Sequence, residues 1–178
     1  MNEHFFVVVQ GEQAATLSAE LCRALSRDGG VCAVLANQVL ADRPFRYTLL
    51  SQTGPVPCEI GPAVYVYAGG KNSLPPPEDG SVAVIEHTDT AALSLLKDSG
   101  TPAVICGLSH TDTLSLSSVG EPSCVAVSLQ RELTTLNGAL CEAMEVSVHL
   151  SAPCSEFGVM AACAVLLLCT GEIEVMAI

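Results

Sequence analysis

The sequence predicts an α/β fold, a three-layer sandwich on a mostly parallel sheet with an antiparallel portion at one edge. Three observations predict it. Continuous apolar, β-branched runs such as Phe5 to Val9 and Val31 to Leu35 read as strands buried on both faces. Segments with apolar residues at helical spacing alternate with such runs over the first two thirds of the chain. A later stretch carries strand patterns with no helix between them. At 178 residues the whole chain, 1–178, has the length of one domain around one core.

The elements follow in order. Phe5 to Val9 stops at Gly11, and Ala14 to Arg27 places Leu17, Leu21, Ala24 and Leu25 on one helical face before Gly29 and Gly30 end it. With Val31 to Leu35 this is a β-α-β unit, whose crossover rule makes the two strands parallel. Tyr47 to Leu50 and Val64 to Tyr67 are strands flanking the turn-rich Gly54 to Pro57. Three consecutive prolines make 71–80 an exposed extended loop, either an internal boundary or a clipped insertion. Val82 to Ile85 is a strand, Thr90 to Lys97 a helix closed by Gly100, and Pro102 to Cys106 a strand. Leu114 to Val119, Cys124 to Leu129 and Val146 to Leu150 read as a meander at the sheet edge. Glu156 to Leu168 is the last helix, and Ile173 to Ile178 a terminal strand.

Composition excludes several functions. Seven Lys and Arg against nineteen Asp and Glu give a net charge of −12, which rules against a grip on the phosphates of nucleic acid. The nine cysteines include no C-x-x-C pair, so zinc-ribbon and thioredoxin-like readings fail. Most lie in apolar runs, where a reduced thiol acts as a small hydrophobe. The first residues lack the cationic region and cleavage site of a secretory signal, and Val159 to Cys169 is too short to span a bilayer. A reduced, cytoplasmic protein with no membrane span is expected.

The first strand-turn-helix sets Gln10-Gly11-Glu12-Gln13-Ala14-Ala15-Thr16-Leu17 where a P-loop or Rossmann-like fold cradles phosphate. Such a loop needs small residues whose N–H groups surround the anion, a lysine to neutralise it, and a hydroxyl for magnesium. Gly11 can make the turn and Thr16 offers the hydroxyl. No lysine is present, and Glu12 brings a negative charge. The second candidate, Gly69-Gly70-Lys71-Asn72, leads into the proline-rich segment rather than a helix and reads as a turn.

The run Val7 to Leu17 resembles, without a gap, the strand and T-G-T-N-G-K-T-T loop of the central, ATP-binding domain of the Mur ligases, ATP-dependent amide-forming enzymes that extend peptidoglycan stem peptides. In that resemblance the family's glycine falls on Ala14 and its lysine on Ala15. Leu150 to Val159, with Ala161, Ala162 and Gly171, is similar to the family's G-x-H-N-x-x-N-A-x-A-A helix without its His and Asn. Ala83 to Asp89 is similar to the family strand that ends in acidic residues before a helix. The resemblance implies a shortened, stand-alone relative of the central domain without the flanking domains, with a degenerate phosphate loop and no ligase activity. Neither ATP nor magnesium is expected as a cofactor.

The tetrad His-Thr-Asp-Thr occurs twice, as His87 to Thr90 and His110 to Thr113, each just after a buried strand. If those strands are parallel neighbours, both tetrads emerge at the carboxyl edge that also holds Gly11, where open α/β sheets gather ligands. His87, Asp89, His110 and Asp112 then supply either a mixed imidazole-carboxylate metal site or acid-base partners for a small ligand. The competing reading is a helix cap at Asp89 and a turn at the second tetrad. Ser109, His110 and Asp112 do not make a hydrolase triad, because neighbouring side chains on an extended chain diverge. His149 reads as a surface or core histidine, and Glu142 with Glu145 as the solvated face of a helical turn.

Three functions remain open from these residues. The first is a non-catalytic Mur-ligase-like binding or interaction module linked to cell-wall metabolism. The second is a metal- or small-ligand-dependent enzyme using the strand-end His and Asp groups. The third is a subunit of a larger ligase-like assembly, in which a protein partner or a second copy covers the apolar Val159 to Cys169 helix or the Ile173 to Ile178 tail.

Overall fold

The computed structural model describes residues 3–54, 60–70, 77, 79–121 and 123–173. In chain order the elements are β1 (Phe5–Gln10), α1 (Ala14–Arg27), β2 (Val31–Leu35), β3 (Gln38–Ala41), β4 (Tyr47–Gln52), β5 (Val64–Tyr67), β6 (Val82–Glu86), α2 (Thr90–Ser99), β7 (Ala103–Gly107), β8 (Leu114–Glu121), β9 (Cys124–Leu129), β10 (Leu133–Thr134), β11 (Leu140–Cys141), β12 (Met144–His149) and α3 (Glu156–Thr170). A ten-stranded sheet runs β12-β9-β8-β7-β6-β5-β1-β4-β2-β3, and β10 with β11 forms a separate small ribbon.

From β8 to β2 every neighbouring pair is parallel. β9 and β12 continue one edge antiparallel, as the meander pattern predicts, and β3 adds an antiparallel strand to the other edge. β4 lies between β1 and β2, so the opening β-α-β unit steps over one strand. The turn at Gly54 to Pro57, the 71–80 loop with Lys71 and the 173–178 strand fall wholly or mostly outside the described residues. The helical turn expected around Glu142 and Glu145 is corrected. Glu145 belongs to edge strand β12 and accepts from Ser128 Oγ at 2.9 Å, because Met144 to His149 pairs with β9 residue by residue.

Strand alternation sorts the core into two layers. Val7 and Val9 of β1 face α1 and α3, while Val8 faces the α2 side with Tyr65, Tyr67, Ile85 and Leu96. Helix α3 is apolar all round, and every residue from Gly158 to Cys169 is buried. One side lies on the sheet and others are covered by α1 and by the β10–β11 ribbon, where Leu136 N–H donates to Leu168 O at 2.8 Å. Each leucine buried in α3 contributes about 1.5–3 kcal/mol. Among the described residues no helix is long and apolar enough to cross a membrane.

The described cysteines are free thiols, and Cys106, Cys141, Cys163 and Cys169 are buried. Burial pushes the Cys163 thiol up to about 12. Burial and the Asp42 carboxylate push Cys22 up to about 11. Both stay protonated at neutral pH and pack as small hydrophobes.

Candidate functional site at the carboxyl edge of the sheet

Parallel strands β1, β5, β6 and β7 end together, so the loops after them share one edge. The turn after β1 is built on Gly11, whose φ of +132° is a conformation that L side chains rarely adopt. A Cβ there would stand 2.2 Å from Gly69 O and 2.8 Å from Ala68 O. The reason for the close approach is a set of backbone bonds. Glu12 N–H donates to Gly69 O at 3.0 Å and Gln13 N–H to Ala68 O at 2.9 Å, while Ala68 N–H donates to Gln10 O at 2.7 Å. In a phosphate loop such N–H groups point at the anion. Here the segment after β5 lays its carbonyl oxygens against them.

Beside this turn lies a cleft of about 320 Å³, lined among others by Gln13, Thr16, Glu20, Glu86, Glu156 and Phe157. Among the described residues its lining holds no Lys or Arg. Glu20 is buried on α1, and its two oxygens accept from Ser155 N–H at 2.9 Å and Ser155 Oγ–H at 2.8 Å. Ser155 Oγ in turn accepts from Gly158 N–H at 3.0 Å, capping α3. The carboxylate thus stands at the positive end of α3, where the helix dipole favours it. Gly158 is small because a Cβ there would fall 1.9 Å from Glu20 Oε2. Sequence pattern alone did not single out Glu20, although its signal is present. It lies one helical turn from both Leu17 and Ala24, a carboxylate on the buried stripe of α1.

The two tetrads meet through one residue of each. His87 Nδ1–H donates to Asp112 Oδ1 at 2.5 Å, and Asp112 Oδ2 accepts from Ser109 N–H at 3.0 Å. Asp112 is 3% exposed and the His87 side chain 56% exposed, so a buried carboxylate orients an accessible imidazole and leaves Nε2 for an incoming group. Gly107 makes the room, since its Cβ would lie 2.2 Å from Asp112 Oδ2 and 2.9 Å from His87 Cβ. β6 and β7 supply the register, His87 N–H donating to Cys106 O at 2.8 Å.

The other candidate residues divide. Asp89 caps α2, its Oδ1 accepting from Ala92 N–H at 3.0 Å. His110 is an exposed turn residue beside the dyad, and Thr16 lines the cleft in the first turn of α1. Ser109 Oγ bonds Thr111 Oγ1 at 2.8 Å, away from any triad. Among the described residues no three His, Cys, Asp or Glu side chains come together as a metal-ligand set.

No protein-family profile matches the chain, and no curated protein matches it in sequence. Solved structures do. The MurF ligase from Thermotoga maritima in complex with ADP superposes with a TM-score of 0.61 over 97% of this chain and 47% of that one, at 12% identity. A UDP-N-acetylmuramoyl-L-alanyl-D-glutamate–2,6-diaminopimelate ligase superposes with a TM-score of 0.53, again over 97% of this chain, and over 44% of its own, at 12% identity. The chain therefore spans about half the length of the ligases it matches. At this identity the likeness is one of architecture, and the chain has a Mur-ligase-like α/β fold.

Proposed function

We propose that the chain is a non-catalytic Mur-ligase-like domain acting as a binding or interaction module in a cell-wall setting. The observation that carries this reading is the closed turn after β1. Its Glu12 and Gln13 N–H groups already donate to Gly69 and Ala68 carbonyl oxygens, so they are not presented to an anion. Ala14 and Ala15 stand where the resemblance puts glycine and lysine. Three carboxylates in the adjoining cleft add repulsion that no cation among its described lining residues offsets. A protein partner or a second copy fits the role, in a reduced cytoplasm, and the net charge of −12 argues against nucleic acid.

Calorimetric titration with ATP and excess magnesium tests the reading. Affinity weaker than about millimolar is expected, because a missing lysine, engaged N–H groups and added carboxylates all act against the triphosphate. Micromolar, magnesium-dependent binding would overturn it.

The His87–Asp112 pair supports a second reading, an acid-base site for a small ligand. The module reading expects no turnover of simple phosphate and carboxylate esters above buffer. Turnover that disappears in His87→Ala, with an unchanged melting temperature, establishes the second reading instead.

A further inference from the structure

A larger cleft, of about 610 Å³, opens at the opposite edge of the sheet, where β1 and β4 begin and α1 ends. That volume is within the range of small-molecule sites. Its lining includes Arg27, Arg46, His4 and Phe45, with Glu3 and Asp28. Two guanidinium groups in one cleft are a large share of seven Lys and Arg in a chain with a net charge of −12. The cleft at the carboxyl edge has three carboxylates and, among the described residues, no Lys or Arg, whereas here Arg27 and Arg46 balance Glu3 and Asp28, so this cleft does not share that excess of negative charge.

The cleft is also held in shape. Arg46 Nη1 lies 3.4 Å from Asp28 Oδ2 and Nη2 lies 3.7 Å from Glu3 Oε2, and its guanidinium sits 5.5 Å from the Phe5 ring centre. Asp28 in turn accepts from the Tyr47 hydroxyl. His4 stands edge-on to Phe45 at 5.6 Å and to Phe6 at 5.2 Å, and its Nε2 bonds Thr48 Oγ1 at 2.9 Å. A fixed guanidinium and an aromatic wall are therefore in place before any ligand arrives, which lowers the ordering cost of binding. Phe45 remains 38% exposed, large apolar surface left open at the mouth.

We propose that this cleft binds a small aromatic anion, its ring against Phe45 and His4 and its carboxylate or phosphate on Arg27, whose Nη2 also donates to Ser151 Oγ at 3.0 Å, and on Arg46 in place of the half-exposed Glu3 carboxylate. Ring stacking and guanidinium recognition of planar or tetrahedral oxyanions supply the two halves of the affinity. The proposal is independent of the closed turn at the other edge, and its probes carry no nucleoside.

Calorimetric titration of the full chain with benzoate and with phenyl phosphate tests it. Saturable binding at about millimolar or tighter is expected for at least one probe, benzoate reporting a carboxylate source and phenyl phosphate a phosphate source. Cyclohexanecarboxylate and inorganic phosphate should bind at least about tenfold more weakly, lacking the aromatic ring. Arg27→Gln and Phe45→Ser, both at exposed positions, should each weaken binding by at least about tenfold. Absence of saturation by both aromatic probes below about 10 mM, or binding that either variant leaves unchanged, overturns the proposal.

Discussion

Replacing Gly11 with alanine is expected to lower the unfolding free energy by about 3 kcal/mol or more. Two costs combine. Alanine must adopt a φ of +132°, and its Cβ must displace Gly69 O from 2.2 Å and Ala68 O from 2.8 Å. Those are backbone atoms, so no side-chain rotation relieves the clash. Moving them breaks the bonds from Glu12 and Gln13 N–H, each worth about 1 kcal/mol. For a chain of this size the melting temperature should fall by roughly 6–12 °C. Gly54→Ala is the control, because nothing among the described residues lies within 4 Å of its Cβ, and it should melt with the unaltered protein. A Gly11→Ala protein that melts with that control would show that the turn is not closed in solution as described.

Glu20→Ala should cost about 2–4 kcal/mol in urea-induced unfolding. The residue is 7% exposed and its carboxylate accepts two hydrogen bonds from Ser155, which caps α3. Removing it leaves the Ser155 N–H without its carboxylate and opens space between α1 and α3. Glu20→Gln keeps one acceptor oxygen and loses the charge at the helix terminus, so its loss should be about half as large. An alanine variant within about 0.5 kcal/mol of the unaltered protein would mean that Ser155 finds water as readily as Glu20.

These two residues mark where sequence reasoning succeeds and where it stops. Gly11 is legible as a turn former because a buried run ends before it and a helix begins after it. The carbonyls of Ala68 and Gly69 that require it come from the segment after β5, more than fifty residues later, and no local pattern reports that approach. Asp89 is legible as a cap because capping is local, and the structure places it there. The meeting of His87 and Asp112 needs the register of β6 and β7, the turn from Ser109 to Asp112 and the missing side chain of Gly107. Parallel neighbours predict a shared edge, but which side chain turns inward is decided by packing. Strand β3 escapes because Gln38 to Ala41 is exposed throughout and has no buried face to show as alternation. β4 is readable as a strand, whereas its place between β1 and β2 is a property of pairing.

The burial of α3 has a consequence for the order of assembly. Among the described residues every strand of the main sheet precedes Glu156–Thr170 in the chain, yet this helix covers β5, β6, β7 and β8. The tie between Glu20 and Ser155 joins residues 135 positions apart. A chain growing from its amino end can therefore pair these strands, with α1 over β1, β2 and β4, while the β5 to β8 part of the same face is still bare until α3 closes it. Such distant contacts slow folding and lengthen the time that apolar surface stays open to other chains. The strongly apolar α3 thus follows the strands it covers, and its own surface is hidden as soon as it docks.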